Sequence, residues 1–198
     1  FKVDNDWYYA DEDGKVRILD RRVYPRKVEF VVCNTHQEVT QAIRDMVTQS
    51  AGPYTAAAMG MALAAYECRN MSEEKQLEYH IAASDNITHA RPTTVARMSL
   101  ITGGCLEAAK IALKNGTDVS EAIVEYTVKA NNLRYGKVNL MAEHLVDMFP
   151  QNGTVMTQCF GETIVGMMLK VAKEREKNIR IFCPETRPYF QGARLTAT

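Results

Sequence analysis

One stretch constrains this chain more than any other: Thr55 to Glu67, TAAAMGMALAAYE, where small and apolar side chains run right round the helical wheel. A helix without a polar face has to be covered on nearly every side. The segment therefore predicts the central helix of a helical domain large enough to enclose it. With 198 residues, 46% of them hydrophobic, the chain can supply one complete domain and part of a second.

The residues before that segment follow a different period. From Asp6 to Val32, the runs WYYA, KVRILD and VEFVV alternate β-branched or aromatic residues with charged ones around a DEDG turn. They predict a small antiparallel sheet whose first hairpin turns at Asp13-Gly14. Thr35 then caps a helix with Glu38 as acidic partner and Val39, Ile43, Met46 and Val47 on one face, ending near Ser50. Beyond the central segment, helical patterns run from about Ser72 to Ala83, Thr93 to Lys114 and Val119 to Met148, the last broken around Asn131 or Gly136.

Near Pro150 the texture changes again. TVMTQC and NIRIFC read as buried strands and TIVGMMLKVAKEREK between them as an amphipathic helix, which makes one β-α-β unit of a parallel sheet. The fold class is α/β: an N-terminal small antiparallel sheet plus helical bundle over residues 1–149, then the start of a parallel-sheet domain over 150–198. One such unit leaves sheet edges unpaired and apolar faces uncovered. A missing C-terminal segment is expected to pair with it, as continuing chain or as a cleaved partner chain. The start at Phe1 and the stop at Thr198, after what reads as the run-in to a helix, also suggest a fragment.

Bulk chemistry narrows the partners. The 24 basic and 24 acidic side chains cancel, so no long-range field draws the chain onto nucleic acid or an anionic membrane. No apolar run approaches the roughly 20 residues of a membrane span, and FKVDNDWYY is no secretion signal, so a cytoplasmic location is expected. The five cysteines have no CxxC pair, and His36, His80, His89 and His144 show no metal-binding spacing. No metal is expected.

Cys159 falls where a parallel strand ends and a helix begins, the carboxyl edge at which open α/β sheets bind ligands. A thiol near a helix N-terminus can serve as base or nucleophile near neutral pH, whereas an arbitrary cysteine is more often a small packing residue. The second strand ends at the same edge in CPETRPYFQGAR, which brings Glu185, Arg187, Gln191 and Arg194 to it. In the first domain, the turn Gln49-Ser50-Ala51-Gly52-Pro53 precedes the central helix, and its amides can form an anion nest. Arg91, in HARPT, stands at the mouth of the next helix but one. Each of these loops alone is also compatible with an ordinary surface turn.

Together they are specific. PETRPYFQGARLTA closely resembles the ETRP-x-x-QG-x-RLTA signature of the superfamily of methylthioribose-1-phosphate isomerases and initiation factor 2B α, β and δ subunits. KVRILDRRVYPRKVEFVVCNTHQEV, AIRDMVTQSAGPYTAAAMG, ARPTTVARM and VMTQCFGE match in the same order. The resemblance implies a Rossmann-like second domain, a small-molecule sugar phosphate as partner, no cofactor, and a homodimer. It also implies conversion of an aldose 1-phosphate to a ketose phosphate, as in methionine salvage, by Cys159 and an aspartate further along the second domain. Phosphate would be held by the amides of Ser50, Ala51 and Gly52, by Arg91 and by Gln191. Where the isomerases carry Arg-Gly-Ala-Pro this chain has Ser50-Ala51-Gly52-Pro53, which removes one positive charge. Ribose-1,5-bisphosphate isomerase and a non-catalytic regulatory subunit like those of initiation factor 2B are the alternatives the same resemblance allows.

Overall fold

The computed structural model describes residues 8–11, as backbone, and 14–198. Trp7 and Asp13, both part of the expected first hairpin, lie outside the described residues. Packing divides the chain into two compact units, Phe1–Lys129 and Ala130–Thr198.

The first unit opens with three antiparallel strands in the order β1 (Tyr8–Asp11), β2 (Lys15–Leu19) and β3 (Phe30–Cys33). In the β2 and β3 pairing, Val16 faces Cys33 and Ile18 faces Val31. Val16 and Ile18 are fully buried, as the period of two requires for residues on one face. Thr35 caps α1 (His36–Arg44), its hydroxyl accepting the Glu38 N–H at 3.2 Å. The Glu38 carboxylate reaches back to the Asn34 N–H at 2.6 Å, so the reciprocal cap closes one residue earlier than in the usual box. α1 stops at Arg44, short of the expected Ser50, because Met46 turns left-handed (φ 61°) and the Val47 N–H closes onto the Ala42 carbonyl at 3.0 Å.

The small-residue segment forms α2 (Gly52–Cys68), with every residue from Thr55 to Ala65 buried. Gly60 lets α2 approach its neighbours closely: a Cβ there would lie 3.0 Å from Val39 Cγ1 and 3.1 Å from Ile87 Cδ1. Around α2 stand α1, α3 (Glu73–Thr88) and α4 (Val95–Asn115), the last entered through a 3₁₀ turn at Pro92–Thr94.

α5 (Val119–Asp147) runs unbroken through Asn131 and Gly136, where a break was expected. A Cβ at Gly136 would meet nothing within 4 Å, so the residue causes no local conflict. A lone glycine weakens such a helix by only about 1 kcal/mol. The two compact units part within α5, whereas the sequence texture changes at 149/150. The reason is packing: Ala142 and Val146 of α5 are buried with Met168, Val171 and Ala172 of α6 (Glu162–Glu174).

In the second unit β4 (Asn152–Met156) and β5 (Asn178–Phe182) pair in parallel, Val155 opposite Ile181, with α6 between them in sequence. Val155, Ile179 and Ile181 pack into the core that α6 shares with α5. Residues along both strands alternate between half-buried and exposed, as expected of a lone β-α-β unit, which leaves an apolar face uncovered. Met156 is 71% and Phe182 54% exposed on the face that α6 does not cover. Among the described residues no helix is long and apolar enough to cross a membrane.

Two outcomes follow from this packing. Leu63 is fully buried in α2, so Leu63→Ala should lower unfolding free energy by about 2–5 kcal/mol in urea titrations. His80 on α3 is also fully buried, with Nδ1 unpartnered and Nε2 3.9 Å from the Cys68 thiol. Desolvation, then the charge of His36, push its pKa down to about 4. The native state thus binds the proton less readily than the unfolded chain. This contribution to stability is fully present above the unfolded value near 6.5 and is lost as pH falls through about 4. Between about pH 7 and about pH 4 the parent protein should lose more stability than His80→Leu, and parallel losses would contradict the assignment.

Candidate functional site

In the second unit the chain leaves β4 at Met156 and enters α6 at Glu162, and Cys159 lies midway in the connecting loop with a left-handed backbone (φ 57°). The loop after β5 returns past it. The Cys159 thiol donates to Gln191 Oε1 at 3.1 Å, the Cys159 N–H donates to Thr186 Oγ1 at 3.2 Å, and the Thr196 hydroxyl donates to the Cys159 carbonyl at 2.6 Å. Gly192 makes this return possible. A Cβ there would fall 1.7 Å from the Pro184 carbonyl oxygen, so the two backbone segments could not approach with any larger residue. Residues Gly192–Thr196 form a single π-helical turn.

Cys159 is half-buried, as is Cys183, whereas Cys33, Cys68 and Cys105 are buried. Burial pushes the thiols of Cys33 and Cys68 up to about 11 and that of Cys105 up to about 12. Those three are packing residues. Of the other polar groups expected at this edge, Arg187 pairs with Glu185 at 2.9 Å on the surface, and Arg194 donates to the Tyr189 carbonyl at 3.4 Å.

In the first unit, Ser50 is left-handed (φ 57°) and Ala51 right-handed (φ −85°, ψ −8°). Alternation of that kind turns successive amides toward one point, the geometry of an anion-binding nest. The Gly52 N–H also accepts a local role, donating to the Gln49 carbonyl at 3.1 Å. The start of α2 carries no side-chain cap and no acidic residue, which leaves the positive end of the helix uncompensated.

Arg91 clamps the loop that leads into this turn. Its Nε donates to the Ile43 carbonyl at 2.5 Å and its Nη2 to the Thr48 carbonyl at 2.9 Å. Both partners are neutral, and desolvation lowers its pKa. His89, the histidine nearest in sequence, instead caps α3 through the Asp85 carbonyl at 2.9 Å.

The candidate residues therefore gather in two groups: Cys159 with Gln191 in the second unit, and Ser50, Ala51 and Gly52 with Arg91 in the first. Sequence reasoning did not single out Thr186 and Thr196, although both stand in the ETRP and RLTA strings that flank Gln191. Among the described residues no three His, Cys, Asp or Glu side chains are placed to hold a metal ion. A cavity of about 390 Å³ in the first unit, lined by Tyr66, Arg69, Glu73 and Asp118 among others, contains none of the candidates. Asp118 there serves α5, accepting the Glu121 N–H at 2.8 Å.

The initiation factor 2 subunit family matches residues 48–198. The methylthioribose-1-phosphate isomerase of Roseiflexus castenholzii is 31% identical over 94% of this chain and 56% of its own length. That of Caldanaerobacter subterraneus subsp. tengcongensis is 32% identical over 93% of this chain and 56% of its own. A 5-methylthioribose 1-phosphate isomerase structure from Pyrococcus horikoshii superposes with a TM-score of 0.77 at 22% identity, over 96% of this chain and 55% of that one. Translation initiation factor eIF-2B subunit delta from A. fulgidus superposes at 0.73 and 25% identity, over 96% and 57%. The chain spans little more than half the length of these relatives.

The contrast among the thiols is directly measurable. Limited maleimide labelling of the native protein near neutral pH, read by peptide mass mapping, should modify Cys159 and Cys183 and spare Cys33, Cys68 and Cys105.

Proposed function

Because the chain belongs to the initiation factor 2 subunit family, we propose that Cys159 is the catalytic thiol of an isomerase converting an aldose 1-phosphate to a ketose phosphate. Methylthioribose 1-phosphate is the first candidate substrate, on the names of the relatives just described. Another 5-substituted ribose 1-phosphate, or ribose 1,5-bisphosphate, comes next. The observation that carries the reading is the half-buried Cys159 thiol at the carboxyl edge of a parallel strand pair, hydrogen-bonded to the Gln191 carboxamide at 3.1 Å.

The chemistry needs such a group. Phosphate on C1 prevents the sugar ring from opening by itself, so an acid has to protonate the ring oxygen as its bond to C1 breaks. The hydrogen on C2 then moves to C1 with its bonding electrons, and as the proton of the 2-hydroxyl leaves to a base the C2–O bond becomes the ketose carbonyl. Cys159 supplies the acid in this reading. The base is the aspartate that the family resemblance expects further along the second domain. In the first unit the Ser50-Ala51-Gly52 nest and Arg91 are the candidate phosphate holders, and in the second unit Gln191 is. The Ile43 and Thr48 carbonyls that Arg91 binds are neutral, so they leave its positive charge available to an anion. Ser50 brings no charge of its own, which favours testing several phosphorylated pentoses.

The test uses the protein purified as its source makes it, with a panel of 1-phosphorylated pentoses and ketose formation as readout. Cys159→Ser should lower kcat by about 10²-fold or more, with substrate affinity nearly unchanged. Undiminished turnover in that variant would sink the proposal. Binding of a sugar phosphate by the parent protein without any turnover would instead identify a regulatory subunit.

A further inference from the structure

Among the described residues, three non-glycine positions with left-handed backbone lie in the two loops that meet at the end of the parallel strands: Cys159 (φ 57°), Thr186 (φ 59°) and Phe190 (φ 52°). An L side chain is disfavoured there by contact between Cβ and backbone, and it persists only where the surroundings over-determine it. At Cys159 those surroundings are two hydroxyls. Thr186 Oγ1 accepts the Cys159 N–H at 3.2 Å and itself donates to the Pro184 carbonyl at 3.2 Å. Thr196 Oγ1 donates to the Cys159 carbonyl at 2.6 Å.

We infer that Thr186 and Thr196 are positioning residues: gripping both polar groups of the Cys159 backbone, they hold it left-handed and so direct the thiol to the Gln191 carboxamide. Any relaxation of the Cys159 dihedrals toward the common regions swings its N–H or its carbonyl off a partner. Gln191 lies between the two threonines in sequence, so one returning segment supplies all three contacts. That segment is held close by Gly192, where a Cβ would also stand 3.1 Å from Thr186 Oγ1.

A threonine that served packing alone would work through its methyl group. Here the hydroxyl makes the contact, so serine should replace it, and valine, of the same shape without the hydroxyl, should not. Neither change alters the charge near the thiol. The effect on turnover rests on the reading of Cys159 as the catalytic thiol, whereas the effect on the thiol itself does not.

The experiment measures the iodoacetamide alkylation rate of Cys159, by peptide mass mapping, alongside kcat and KM. It compares the parent protein with Thr186→Val, Thr196→Val, Thr186→Ser and Thr196→Ser. In the valine variants alkylation of Cys159 should rise at least about threefold as the thiol leaves the carboxamide, while Cys33, Cys68 and Cys105 stay unlabelled. Over the same variants kcat should fall and KM hold, and both serine variants should return to parent behaviour. Folded valine variants with the parent alkylation rate overturn the inference. Should a valine variant fail to fold, Thr→Ala takes its place, and a serine variant as perturbed as the alanine one overturns it equally. Raised alkylation in a protein that turns over none of the pentose 1-phosphates supports the positioning role and defeats the isomerase reading.

Discussion

Helix α2 has no face that can be left to solvent, and the first unit is arranged around that fact. Its alanines and Gly60 bring α1 and α3 close enough for Val39 and Ile87 to touch the helix backbone region. The Ser120 hydroxyl, at the start of α5, donates to the Ala62 carbonyl at 3.2 Å. Enclosing α2 also determines where its first turn lies. The chain enters from a loop that has just left α1, and Arg91 reaches across from the entry to α4 to hold that loop by two carbonyls.

The second unit solves a different problem with the same economy. A parallel strand pair ends in two loops, and each would be free to move if it stood alone. Hydrogen bonds between side-chain hydroxyls and the Cys159 backbone tie one loop to the other, and the close approach at Gly192 leaves no room for slack. The thiol between these loops is hydrogen-bonded to the Gln191 carboxamide at 3.1 Å.

Much of this was legible in the residues. The period of two before Val32, the Thr35 cap, the small-residue helix and the β-α-β alternation are all local signals, and the structure bears each of them within the described residues. The unbroken α5 was not legible, because a lone glycine signals a break only where packing or solvent rewards one.

The sequence by itself determined the elements, their order, the position of Cys159 between a strand and a helix, and the family signature around Gln191. Those depend on periodicities and caps that act over a few residues. Tertiary structure alone decided which groups meet: Cys159 with partners 27, 32 and 37 residues away, and Arg91 with carbonyls 43 and 48 residues away. The β-α-β pattern brings the loops of Cys159 and Gln191 to one edge, but which atoms pair across such separations depends on how whole elements pack and is not encoded in the local pattern of either partner.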